Sequence, residues 1–79
     1  MKIQIKAFAA IREVLGASEL ELELVEGARV QDALEALSAE HPALREIPCG
    51  FGIAHEYVGP DHPLKDEDEL ALLPPVGGG

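Results

Sequence analysis

The chain has 79 residues, with six Lys or Arg against fifteen Asp or Glu and a formal net charge of −9. A surface this acidic repels phosphate backbones and anionic headgroups, which argues against nucleic acid and membrane and favours protein partners with basic docking faces. The 47% hydrophobic content suits one small globular domain over residues 1–79, and with only Phe8, Phe51 and Tyr57 aromatic its core must be Leu, Ile, Val and Ala.

Residues 1–7 alternate: Met1, Ile3, Ile5 and Ala7 share one face, Lys2, Gln4 and Lys6 the other. This is the period of a half-buried strand, and Phe8 has the outward parity of the lysines. Ala9–Leu15 has room for about two helical turns, with Gly16 as the stop. Residues 18–25 alternate again, with Leu20, Leu22 and Leu24 expected inside and Glu19, Glu21 and Glu23 on a solvated face. Val30, Ala33, Leu34 and Leu37 follow helical spacing, with Gln31, Asp32, Glu35 and Ser38 opposite, so a helix is expected over Val30–Glu40, ending before Pro42. Its start is poorly signalled, because Arg29 stands where a Ser, Thr or Asp cap belongs.

Residues 43–48 read as one irregular turn. Two short strands follow, 51–54 and 57–58, around a tight turn expected at His55-Glu56. Residues 59–63 are loop, 66–68 an acidic turn, and Glu69–Leu73 the last strand. A two-strand return, one long helix and then more strands imply a sheet with one face covered by that helix. The first and last strands, the most apolar, are expected side by side and parallel. That is the ubiquitin-like β-grasp arrangement of the α+β class, a mixed sheet with one main helix.

Residues 73–79 form the expected C-terminal tail. Pro74 cannot donate to a sheet ladder, so pairing should stop there, and the Pro74-Pro75 pair holds its neighbours extended. Gly77, Gly78 and Gly79 follow Val76, a flexible tip without side chains that ends in a carboxylate. Fully extended, residues 74–79 reach roughly 20 Å. Such a tip fits a channel too narrow for a side chain.

Other chemistry is thin. His41, His55 and His62 lack zinc-site spacing, so no metal site is expected. Residues 66–69 lack the ligand frame of an EF-hand. Cys49 is the only cysteine, which excludes an intrachain disulfide, fits a cytoplasmic setting and reads as a small buried residue. No 18-residue apolar run and no leader peptide is expected, since the N-terminus alternates. No Gly-rich loop joins a strand to a helix, so no bound cofactor is expected. The one unusual chemical group is the C-terminus.

Phe8-Ala9-Ala10-Ile11-Arg12-Glu13 followed by Gly16 resembles the FAxxRExxG opening of the MoaD family, the small subunits of molybdopterin synthase. Glu56-Tyr57-Val58, Asp61-His62-Pro63-Leu64 and the run from Asp68 to Val76 resemble its later half. The family ends PPVxGG, here Pro74-Pro75-Val76-Gly77-Gly78-Gly79. The chain departs from the family in three places. Ala54-His55 stands where the turn often carries Asn, Asp66-Glu67-Asp68-Glu69 replaces an Asp-Gly-Asp-Glu turn, and the helix cap is missing.

The resemblance implies a sulfur carrier, a subunit without catalytic residues of its own. Its terminal Gly79, next to Gly78, would be adenylated with ATP by a ubiquitin-activating-type, MoeB-like adenylyltransferase and then converted to a thiocarboxylate. A MoaE-type large subunit would receive the tail, and sulfur would pass to cyclic pyranopterin monophosphate in molybdenum cofactor biosynthesis. Phe8 and Leu73 share outward parity, with Ala71 on that face and Tyr57 at its border, so Phe8, Tyr57, Leu73 and tail residues 74–77 are the expected partner contacts. Three alternatives stay open: a ThiS-like carrier, a carrier for tRNA thiolation, or a ubiquitin-like protein modifier.

Overall fold

A computed structural model of the chain describes residues 1–74. Strand β1 (Lys2–Ala7) buries Ile3, Ile5 and Ala7, as its alternation predicts. Helix α1 (Ala9–Leu15) buries Ile11 and Leu15 and stops at Gly16. There φ is 76°, and the Gly16 N–H donates to the Arg12 carbonyl; glycine takes that left-handed position without a Cβ clash. Strand β2 (Glu19–Glu23) returns antiparallel beside β1. Helix α2 (Val30–Glu40) is followed by a 3₁₀ turn (Pro42–Glu46), then β3 (Gly50–Ile53), β4 (Glu56–Val58) and β5 (Glu69–Leu73).

The five strands form one mixed sheet in the order β2-β1-β5-β3-β4. β1 and β5 pair in parallel, from Gln4 opposite Glu69 to Ala7 opposite Leu72, and the other pairs are antiparallel. This is the expected α+β β-grasp. Val30, Ala33 and Leu37 of α2 join Ile3, Ile5, Leu70 and Leu72 of the sheet in one core. Each Leu or Ile fully buried there is worth about 1.5–3 kcal/mol. Among the described residues no helix covers the opposite sheet face.

Four local expectations change. Leu20, Leu22 and Leu24 are only half-buried, because β2 is an edge strand with a neighbour on one side alone. Ser38 is buried instead of facing solvent. It follows Leu34 by one helical turn, on the flank of α2 against which the 3₁₀ turn packs. The start of α2 is capped from within: the Asp32 carboxylate accepts the Arg29 N–H at 2.8 Å. That is the carboxylate half of a capping box, and it needs no Ser or Thr at position 29. The β3–β4 turn closes one residue earlier than expected, on Ala54-His55, because Ile53 pairs with Glu56.

That turn has φ values of 52° and 67° at Ala54 and His55. Positive φ at both central residues is the hairpin geometry that matches strand twist, and it is usually met by Asn-Gly. Glu67 likewise holds φ 69°, where a glycine is usual. The acidic turn around it is exposed but not merely solvated. Lys2 N–H donates to Asp66 Oδ1 at 2.7 Å, and Glu67 N–H donates to the Lys2 carbonyl at 2.7 Å. Gln4 N–H reaches the Asp68 carbonyl at 2.9 Å. These bonds fix where β5 starts beside β1, and with it the register of the central pair.

Candidate functional site

On the uncovered face the strand registers align four residues in a row. Lys6 lies opposite Ala71, Ala71 opposite Gly52, and Gly52 opposite Tyr57. Two long side chains thus flank the two smallest ones, and the face dips between them. The result is an open groove of about 440 Å³. Ala71, Gly52 and Leu73 form its floor, Phe8 and Lys6 one side, and Tyr57 with the Ala54-His55 turn the other.

Parallel pairing of β1 and β5 carries Phe8, just past Ala7, to the level of Leu73, just past Leu72. The two residues singled out by parity are therefore at one end of the groove, where β5 runs out into exposed Pro74. Phe8 is 47% exposed and Tyr57 68%. An apolar cluster that the fold does not bury is the kind of surface that meets a partner. Phe8 holds an extended backbone at the head of α1, and Ala9 behind it has φ 52°. Of the four non-glycine residues with positive φ among the described residues, Ala9, Ala54 and His55 thus border or adjoin the groove, and Glu67 lies in the acidic turn.

Electrostatics at the other end are local. Lys6 Nζ stands 3.1 Å from Glu69 Oε1. The hydrogen bond and charge of Glu69, with a smaller contribution from Glu19, hold the Lys6 ammonium above its ordinary pKa. Glu56, also lining the groove, has no ion-pair partner among the described residues.

The remaining candidates lie elsewhere. Cys49 is half-buried, its Sγ donates to the Ile47 carbonyl at 3.4 Å, and burial pushes the thiol pKa up, away from a reactive thiolate. It borders a smaller recess of about 280 Å³ beside α2, with Leu34, Ser38 and Leu44. No three His, Cys, Asp or Glu side chains among the described residues gather as metal ligands do. Among those residues, too, no helix is long and apolar enough to cross a membrane. The tail residues Pro75, Val76, Gly77, Gly78 and Gly79 lie outside the described residues.

Among the described residues the groove presents apolar side chains with the Lys6–Glu69 ion pair beside them. The family model of the ThiS family matches residues 5–79. The chain belongs to the ThiS family. Its resemblance to the MoaD carriers holds along its whole length. It is 43% identical to a molybdopterin synthase sulfur carrier subunit of Chlamydomonas reinhardtii, covering 100% of both chains. It is 37% identical to small archaeal modifier protein 1 of Haloferax volcanii, over 94% of this chain and 97% of the relative. Among solved ThiS-like structures, subunit 1 of a molybdopterin converting factor from Pyrococcus furiosus superposes with a TM-score of 0.89 at 34% identity, over 96% of this chain and 99% of that one. A chain from the complex of subunits 1 and 2 of the molybdopterin-converting factor of Helicobacter pylori gives 0.64 at 25% identity, covering 100% of both.

Sequence reasoning found Phe8, Tyr57, Ala71 and Leu73 of this ThiS-family groove but missed Gly52, Glu56 and the Lys6–Glu69 pair. Their signal is the register, since Gly52 joins the row only once β3 is placed antiparallel to β5.

Proposed function

We propose that this ThiS-family chain is the sulfur-carrier subunit of a molybdopterin synthase. The full-length match to the Chlamydomonas carrier subunit carries that reading. The geometry supports it, since β5 lines the groove and ends at Leu73, followed by exposed Pro74. A partner that grips the open sheet face therefore contacts the last described residues of the chain, Leu73 and Pro74. For the large subunit, the Helicobacter two-subunit complex is the supporting relative.

The chemistry follows from the terminal group. A carboxylate is a poor acyl donor at neutral pH. An activating adenylyltransferase of the MoeB type would let the Gly79 carboxylate attack the α-phosphorus of ATP, forming the acyl adenylate and releasing pyrophosphate. Sulfur at the sulfide level then attacks the acyl carbon, AMP leaves, and the product is a thiocarboxylate, whose sulfur is the nucleophile toward cyclic pyranopterin monophosphate. Gly78 and Gly79 leave both sides of the reacting carbonyl open. The catalytic side chains belong to the large subunit.

The test is an intact mass after incubation with the activating enzyme, ATP and a sulfur donor. One oxygen exchanged for sulfur is expected. Deleting Gly79 should abolish that exchange and leave the melting temperature unchanged. The deletion withdraws the carbonyl by about 3.5 Å, where even about 1 Å of misplacement costs roughly a hundredfold in rate. A Gly79-deleted chain that still supports molybdopterin formation would overturn the proposal. The likeness to the Haloferax modifier protein favours a second reading, in which Gly79 also forms isopeptide bonds with lysines. Conjugate ladders that disappear with the same deletion would establish it.

A further inference from the structure

Gly52 is a glycine that the fold itself does not require. It lies inside β3 with an ordinary strand backbone and no positive φ. A Cβ built there would meet Leu73 Cδ1 at 3.4 Å, the Glu56 carbonyl oxygen at 3.6 Å and Ala71 Cβ at 3.9 Å. These are ordinary van der Waals contacts, so alanine fits. A strand interior loses roughly 0.5–1 kcal/mol by carrying Gly in place of Ala. Nor does Tyr57, its cross-strand partner, cover it: the residue is 68% exposed, and none of the three atoms nearest to the added Cβ belongs to it. Glycine inside a strand with room for a side chain marks a place where another molecule comes close. The strained Ala54-His55 turn, which directs β4 and Tyr57 up the side of the same dip, is a separate sign that this groove has a shape to keep.

We infer, resting on the docking role proposed above, that the Gly52 dip between Leu73 and Tyr57 is a specificity-determining socket. It receives one large apolar side chain of the large synthase subunit, with a basic residue of that subunit beside it facing Glu56. The apolar half of that occupant follows from Gly52, Ala71, Leu73, Phe8 and the Tyr57 ring. The basic half follows from charge. Lys6 is paired with Glu69, Glu56 is unpaired among the described residues, and the chain carries −9. Depth, not area, selects the partner here. A methyl group on the floor takes up the space the anchor needs without touching the core.

The experiment measures affinity for the cognate large subunit, by calorimetry on the full chain, for Gly52→Ala, Gly59→Ala and Leu73→Asp. Gly59 makes the same chemical change in open space, with nothing within 4 Å of an added Cβ. Gly52→Ala should melt at or above the wild-type temperature and bind at least tenfold more weakly, while Gly59→Ala binds as wild type. Equal binding by Gly52→Ala overturns the socket. So does a Gly52→Ala chain that fails to fold, because the fold would then require the glycine. Leu73→Asp separates the two levels. If it binds normally, the docking face itself is wrong; if it abolishes binding while Gly52→Ala does not, only the socket is wrong. Glu56→Gln should slow association several-fold at low salt, and a rate unchanged at low salt removes the basic neighbour from the occupant.

Discussion

Strand β5 lives in two surroundings at once. Leu70 and Leu72 are 0% exposed in the core, whereas Glu69, Ala71 and Leu73 point the other way and line the groove. The period of two divides one short strand between holding the fold and offering a surface. Leu72 and Leu73 are the same residue type one position apart, so they isolate the effect of the face. The core face is judged by the free energy of folding, the open face by what binds to it.

The largest effect should come from the core side. Leu72→Ala removes a fully buried side chain and should cost about 2–5 kcal/mol of stability. A small domain has only about 5–15 kcal/mol to lose, so the variant should melt far below wild type in denaturant titration. Leu73→Asp should do the reverse. Leu73 is half-buried, so folding should lose about 1 kcal/mol or less, while affinity for the large subunit should fall by about 2 kcal/mol or more, near thirtyfold. Equal melting losses for the two variants would erase the distinction between the faces.

The core face was legible because it obeys simple periods. Alternation placed Ile3, Ile5 and Ala7, helical spacing placed Val30, Ala33 and Leu37, and the apolar first and last strands gave the parallel central pair. The open face was legible chiefly where large residues broke the expected polarity, at Phe8, Tyr57 and Leu73. Parity also placed Ala71 on this face, but Gly52 was hidden, because a glycine carries no pattern until pairing sets it beside Ala71. The half-burial of Leu20, Leu22 and Leu24 was hidden for a related reason: alternation tells which way a side chain points, not whether anything covers it. The cap of α2 was missed because the expected donor-satisfying residue lay at position 29, and Asp32 supplies the carboxylate from inside the helix.

A smaller effect sharpens the comparison from the turn that sets the register of both faces. Glu67 holds φ 69°. A side chain in that conformation costs about 1–2 kcal/mol, and glycine returns roughly 0.5–1 kcal/mol of it as unfolded-state entropy. Glu67→Gly should therefore stabilise the chain by up to about 1.5 kcal/mol, the difference of those two terms. The bonds that set the register come from Asp66, Asp68 and the backbone, so they survive the change. Binding to the large subunit should stay the same. A lower melting temperature would mean that the Glu67 side chain contributes something its exposed position does not reveal.

The smallest effect belongs to Lys6 and Glu69, the charged pair on the open face. Glu69 raises the Lys6 pKa above its ordinary 10.5, first by its hydrogen bond and then by its charge. For a lysine raised in the folded state, the stabilisation is fully present below the unfolded pKa and is lost as pH rises through the higher folded value. The pair thus predicts no change in melting temperature between neutral pH and pH about 9, which lies below the ordinary lysine pKa. Wild type and Glu69→Gln should converge only at more alkaline pH. Both groups are solvent-accessible, with side chains 41% and 61% exposed, so the gap should be close to the resolution of a melting curve and should shrink with salt. A site-resolved NMR titration is the sharper measurement. The Lys6 ammonium should titrate above the ordinary lysine value in wild type and fall back toward it in Glu69→Gln. A Lys6 midpoint unmoved by that substitution would show that the 3.1 Å contact does not persist in solution, and that the groove's charged end is open to a partner's carboxylate as well as to its cations.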